Sequence, residues 1–260
     1  MLQVALAGVL ALGCARGGRP SASVTPVASG LSRAAVDSLW QRAMADFSQG
    51  KWDKALTLFQ RTILEIPAGD SLAIEARFRV AECLFAQGNQ LQAAREFRKV
   101  SDETPNARLA PEALLRAGDA YGDLWRRPEL DPTYGQTALS TYTELVNRYP
   151  DSRAAARAKL RTTELEEAFA TKQFKAAQYY YRLHAYDSAI LYLKDIAASY
   201  PRAAITPSAL LRLVQAYHAL GYTEDVQETC GYIRQFHPTT PGLDVHCPLP
   251  RDSTASTSTR

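Results

Sequence analysis

The 34 residues from Val36 to Gly69, VDSLWQRAMADFSQGKWDKALTLFQRTILEIPAG, decide the fold. Val36, Leu39, Trp40, Ala43 and Phe47 recur at helical intervals, so one face of this segment is built for burial. Ser48-Gln49-Gly50-Lys51 then breaks the pattern, with a glycine where the end of a helix calls for a positive φ. A second stripe follows at Trp52, Leu56, Phe59, Ile63 and Ile66, and Pro67, which lacks an N–H, stops it. Inside this second helix lies a frame: Ala55, a bulky Phe59 four residues on, Thr62 seven on and Pro67 twelve on.

The frame recurs as Ala93, Phe97, Val100, Pro105; as Ala138, Tyr142, Leu145, Pro150; as Ala189, Leu193, Ile196, Pro201; and as Val226, Cys230, Ile233, Pro238. Offsets of four and seven lie on one face of a helix, so each instance marks a helix with its stop, and each needs a partner helix before it. Gly88 repeats the offset of Gly50, five residues before the alanine of its frame. Strand signals are nearly absent, and Ala, Leu, Arg, Glu and Gln dominate the helical segments. The expected fold is all-α, a right-handed superhelical solenoid of about five helix pairs spanning residues 33–238, with N-terminal repeats at 33–107 and C-terminal repeats at 108–238. A loop containing Arg126-Arg127-Pro128 and Asp131-Pro132 interrupts the third pair. The fourth is expected to carry an extra helix, Ser152 to about Phe169, ahead of its own first helix.

The flanks have a different character. Val4 to Leu12 is an unbroken run of apolar and small residues, too short for a membrane span but of the length of a signal-peptide core, which assigns residues 1–13 to a signal peptide. Residues 14–32 are rich in Ser, Gly, Pro and Ala and are expected to be a flexible tether. Residues 239–260, with three prolines, are expected to be a disordered tail.

Of 260 residues, 46% are hydrophobic, and 30 Lys and Arg face 27 Asp and Glu with the signs interspersed, which argues against nucleic acid as a partner. The usual catalytic and phosphate-binding motifs are missing, so the chain is not expected to be an enzyme or to carry a cofactor. No metal is expected, because His237, His246, Cys230 and Cys247 do not have ligand spacing. Cys83 falls in an apolar helical pattern and reads as a small buried hydrophobe; spacing alone leaves a Cys230–Cys247 bridge open. The consecutive Tyr179, Tyr180 and Tyr181 point about 100° apart and cannot form one stacking platform.

In such stacks the first helix of each pair lines a concave groove. Registering on Gly50 and Gly88 brings Trp40 and Phe47 level with Phe78 and Phe85, an aromatic-walled channel suited to extended, aromatic-containing segments. Glu75 and Glu82 on the same wall would disfavour acidic peptides. The alternative is that these rings only pack helix on helix, as aromatic stripes at helical spacing most often do.

The frame resembles the tetratricopeptide repeat, best over residues 36–69 and 74–107. Ala11-Leu12-Gly13-Cys14 resembles the lipobox of bacterial lipoproteins, which implies Cys14 as the acylated, palmitate-bearing first mature residue; a cleaved signal peptide with an incidental Cys14 is the alternative. YTELVNRYPDSRAAARAKL (Tyr142–Leu160), AAQYYYRLHAYDSAILYLKDIAASYP (Ala176–Pro201) and ITPSALLRLVQAYHALG (Ile205–Gly221) resemble the BamD lipoproteins of the outer-membrane β-barrel assembly machinery. The resemblance extends back through residues 36–107. It implies a lipid-anchored protein on the periplasmic face of the outer membrane, with two kinds of partner. One is a BamA-like barrel-forming subunit, held through the C-terminal repeats, where Tyr180, Tyr186 and Tyr192 are the candidates. The other is unfolded outer-membrane proteins, received through the N-terminal repeats. Periplasmic adaptors of other envelope complexes, such as Tol-Pal or those coordinating the cell wall, share the first two units and are the competing assignment.

Overall fold

A computed structural model describes residues 31–67 and 69–248, so the signal peptide, Cys14, most of the tether and the last twelve residues lie outside the described part. Among the described residues there is no strand. The helices pair in order: α1 (Arg33–Ser48) with α2 (Trp52–Glu65), α3 (Ser71–Ala86) with α4 (Gln90–Glu103), α5 (Ala110–Asp123) with α6 (Thr133–Arg148), α7 (Arg153–Arg182) with α8 (Tyr186–Ser199), and α9 (Thr206–Leu220) with α10 (Thr223–Phe236). A one-turn α11 (Leu243–His246) follows. Each helix packs chiefly on its neighbours in sequence, so the described chain is an all-α solenoid.

Four of the five pairs close through one turn. Gly50, Gly88, His184 and Gly221 have φ of 72°, 83°, 59° and 75°, each two residues before its second helix. At each, the next N–H donates to the carbonyl five residues back: Lys51 to Asp46 at 2.9 Å, Asn89 to Leu84 at 2.9 Å, Ala185 to Tyr180 at 3.0 Å and Tyr222 to Tyr217 at 3.0 Å. This is the Schellman arrangement, which satisfies a carbonyl orphaned at the helix end. His184 adopts it without the freedom of glycine. The frame residues are the inward stripes of the second helices, with Ala55, Phe59, Ala93, Phe97, Ala138, Leu145, Ala189, Leu193, Ile196 and Ile233 fully buried. Each closing proline stands two residues beyond its helix.

Starts are capped as well. Ser32, Asp70 and Ser152 side chains accept hydrogen bonds from the Ala35, Leu72 and Ala155 amides, and Pro111 and Pro207 occupy first turns. Tyr149, after α6, donates its hydroxyl to the Pro105 carbonyl at 3.1 Å. Beside it, Arg98 of α4 meets Glu144 of α6 at 2.6 Å, and Arg148 meets Glu144 at 2.7 Å and Asp102 at 3.0 Å. This network holds the second and third pairs together along their outer helices.

Two expectations are corrected. The extra helix of the fourth unit is not separate: Arg153 to Arg182 is one helix of 30 residues, because the segment contains neither glycine nor proline to stop it. Unit 3 keeps its loop, which Lys172 of α7 pins by donating to the carbonyls of Pro128, Glu129 and Leu130 at 2.9, 3.2 and 2.8 Å. Trp125, at the start of that loop, is buried against Gly135, where a Cβ would collide with the indole. It stacks on Phe169 of α7 at 4.4 Å, and Phe169 in turn stacks on Tyr200 at 6.2 Å.

The second correction concerns the tail, which is folded from Thr239 to Pro248 rather than disordered. Cys247 is bonded to Cys230 of α10, 17 residues earlier, with Cα atoms 5.5 Å apart. Thr240 and Leu243 are buried, Arg234 donates to the Cys247 carbonyl, and Gln215 meets His246 at 2.8 Å. These anchors outweigh the prolines that suggested disorder, and the segment caps the last pair. Cys83 is free and fully buried, and burial pushes its thiol up to about 12.

Closing a 17-residue loop is worth roughly 3 kcal/mol by chain entropy, so Cys247→Ser should destabilise the protein by roughly 2–4 kcal/mol. Hydrogen exchange should show the loss of protection in α9–α11 before α1–α6. The Arg98–Glu144–Arg148 network carries a pH signature. Burial opposes ionisation of Glu144, but hydrogen bonds and charge from Arg148 and Arg98 outweigh it and hold the carboxyl below its ordinary value. Its contribution is therefore full above pH of about 4.5 and lost as the pH falls through the depressed value. In urea titrations, Arg148→Gln should be less stable than the parent at pH 6, with the gap narrowing towards pH 3.

Candidate functional site on the first-helix face

The first helices form a face on which arginines lie over aromatic rings of the preceding unit. The penultimate residue of α1, Phe47, lies beneath the Arg79 guanidinium of α3 at 5.4 Å. Phe85, penultimate in α3, lies beneath Arg116 of α5 at 4.5 Å, and Tyr181, penultimate in α7, lies beneath Arg212 of α9 at 4.8 Å. These contacts are cation–π pairs that tie one repeat to the next. The arginines fall 31 or 32 residues after their rings, a periodic signal present in the sequence and missed by a reading that followed only the apolar residues.

Carboxylates complete the face. Arg79 pairs with Glu82 at 2.6 Å and Glu75 at 3.7 Å. Arg157 meets Glu112 at 2.9 Å, Arg161 meets Glu164 at 2.8 Å, and Asp119 lies 3.5 Å from Arg116 and 3.6 Å from Arg161. Tyr142, from the second helix of unit 3, reaches through to donate its hydroxyl to Asp119 at 2.9 Å. Its ring fits because residue 118 is glycine, where a Cβ would run into it. Burial, with the charge and hydrogen bond of Asp119, pushes the phenol far above its ordinary value and keeps it a donor. Between these groups lies a cavity of about 300 Å³ lined by Phe85, Arg116, Asp119, Tyr142, Arg161 and Glu164, with Gly122, Asp123 and Leu165 completing it.

The expected aromatic channel is therefore corrected in part. Phe78 is 5% exposed and packs edge-on against Phe97 of α4 at 5.2 Å, so it is core. Trp40 lies against Phe59 of α2 at 5.2 Å, and Phe47 against Trp52 and Phe59 at 5.1 and 6.1 Å. The seven-residue spacing does place these rings on one stripe, but the stripe leans on the partner helix: Phe78 is buried there, while Trp40, Phe47 and Phe85 remain partly exposed. Glu75 and Glu82 are on the wall and share Arg79, one positive charge against two negative.

Of the C-terminal tyrosines, Tyr180 and Tyr192 come together, stacked at 5.4 Å with Tyr179 edge-on to Tyr180 at 5.5 Å. Tyr186 belongs to a different cluster, packed on Tyr181 at 5.2 Å and on His184 at 5.8 Å. Cys14 lies outside the described residues, and no described helix is long and apolar enough to cross a membrane. Among the described residues no group of His, Cys, Asp and Glu could hold a metal ion.

Known proteins resemble this chain in sequence over most of its length. The chain is 27% identical over 199 residues to the outer membrane protein assembly factor BamD of Xylella fastidiosa (strain 9a5c), covering 72% of this chain and 67% of that protein. It is 24% identical over 229 residues to the BamD of Neisseria meningitidis serogroup A, covering 84% of each. The TPR2AB domain of yeast Sti1 superposes with a TM-score of 0.46 at 12% identity, covering 83% of this chain and 82% of that one. The profile of the YfiO family, described as outer membrane lipoprotein, matches residues 33–231, from the first residue of α1 into α10, and the chain belongs to that family.

Proposed function

We propose that the chain is a non-catalytic scaffold of outer-membrane protein assembly. In this reading Cys14 carries the lipid anchor and the solenoid works at the periplasmic face of the outer membrane. It holds a BamA-like barrel-forming subunit through the C-terminal repeats and receives unfolded outer-membrane proteins on the N-terminal ones. The observation that carries the reading is the extent of the family match: residues 33–231 take in nearly all five pairs, beyond what a generic helix-pair repeat would share. Relatives named as outer membrane protein assembly factors align over as much as 84% of the chain.

The first-helix face suits an unfolded segment physically. Its arginines and carboxylates are fixed in place by one another, so they offer hydrogen-bond partners to an extended backbone without first having to be ordered. The Tyr180–Tyr192 stack, flanked by the exposed Tyr179, suits a folded subunit, because large rigid rings supply contact area at low entropic cost.

The test is recovery of partners from detergent-solubilised envelopes with a tagged chain, its Cys14→Ser form and a Tyr180→Ala/Tyr192→Ala form, identified by mass spectrometry. The tagged chain should bring down the large barrel-forming subunit, Cys14→Ser should leave the membrane fraction, and the double variant should lose most of the subunit while its helicity is unchanged. Recovery of Tol-Pal components or cell-wall enzymes in place of the barrel subunit would overturn the assignment.

A further inference from the structure

Of the four first helices that a further described pair follows, three carry a ring at the penultimate position and one does not; in α9, the first helix of the last described pair, that position is Ala219. Penultimate positions of α1, α3 and α7 hold Phe47, Phe85 and Tyr181, each beneath an arginine of the following unit; the penultimate residue of α5 is Gly122. That glycine lines the 300 Å³ cavity, together with Phe85, the ring of the preceding unit. A Cβ built on Gly122 meets only the Tyr142 hydroxyl at 3.9 Å and the Ala138 methyl at 4.0 Å, so the backbone does not require glycine for lack of room. The walls are those an inserted ring needs: Phe85 and Leu165 offer apolar contact, and the Arg161 guanidinium lines the space with its Nη1 on Glu164. An engineered cavity of roughly 150 Å³ takes benzene, so one ring with its attached chain fits.

We infer that this cavity is a slot for one aromatic side chain of a bound peptide, which completes the series of rings that Gly122 interrupts. The lining narrows the class further. Asp119, Asp123 and Glu164 present carboxylates to a polar cavity, so a ring bearing an O–H or N–H, the phenol of tyrosine or the indole of tryptophan, is favoured over phenylalanine, and leucine is the poorest fit. A negatively charged side chain would meet these three carboxylates with both arginines already paired. This rests on the reading of the first-helix face as a binding groove and adds to it a position and a side-chain preference.

The test uses the full chain carrying Cys14→Ser and a fluorescein-labelled ten-residue peptide of alternating apolar and polar residues, synthesised with Tyr, Trp, Phe, Leu or Glu at one central position. Fluorescence anisotropy should show the Tyr and Trp peptides binding at least fivefold tighter than the Leu peptide, with Phe between and Glu weakest. Gly122→Phe, which supplies the missing ring from the protein itself, should bring the Tyr and Trp peptides down to the Leu level without lowering the melting temperature. Arg161→Met, which removes the guanidinium and leaves the space open, should reduce the aromatic preference and serves as the arm that remains if Gly122→Phe fails to fold. Peptides that bind with no aromatic preference, or with a preference that survives Gly122→Phe or Arg161→Met, would overturn the slot and leave the groove standing. Absence of binding by every peptide would overturn both.

Discussion

The left-handed turn between paired helices is the constraint on which the rest of the structure depends. A residue with positive φ and the hydrogen bond that spans it fix the second helix against the first in one orientation. Once that angle repeats, the frame residues of the second helices must face inward, the first helices must share a face, and an aromatic at the penultimate position must lie beside the next unit. The arginine–ring pairs are thus a consequence of the turn. His184 shows how strongly the geometry is required: the fourth unit keeps the conformation with a side chain that pays a steric penalty of about 1–2 kcal/mol in it.

The third unit is where the pattern loosens. Its turn is replaced by the longer connection from Leu124 to Pro132, held by Lys172 from beneath and by Trp125 from within. Three glycines cluster around this departure. Gly118 admits the Tyr142 ring, Gly135 admits Trp125, and Gly122 leaves the cavity open. The first two are filled by side chains from other elements of the same chain. Only the third faces the shared surface of the first helices.

Much of the fold was legible in the sequence because burial in a solenoid is periodic, and period survives in a single chain. The five frames became the five second-helix stripes, and Gly50 and Gly88 became turns. His184 and Gly221 share the same offset from Ala189 and Val226, so the other two turns were equally available in the spacing. What pattern could not supply was contact between distant residues. Leu243 and Cys247 are ordered by α9 and α10, which no local composition reveals, and the prolines around them pointed the other way. The candidate site was legible only at its edge. Phe47 and Phe85 were found, but a helical stripe does not say which neighbour it faces, so Phe78 stood as either groove or core; Tyr142 was read only as a frame residue, and Arg79, Arg116 and Asp119 were passed over because charged residues on helices ordinarily signal solvent.

The length of α7 changes how the molecule can come apart. In an ordinary solenoid each repeat melts or forms against its neighbour, and stability is a sum of intrinsic and nearest-neighbour terms. Here a single helix of 30 residues, about 45 Å long, packs on α5 and α6 at one end and on α8 and α9 at the other. Its two halves cannot be assigned to different units, so the nearest-neighbour chain has one link that is shared rather than adjacent. Fraying that begins at either end meets a segment whose loss would disrupt both flanks together. The middle of the array therefore behaves as one cooperative block, and the outer pairs have the greater freedom to open on their own.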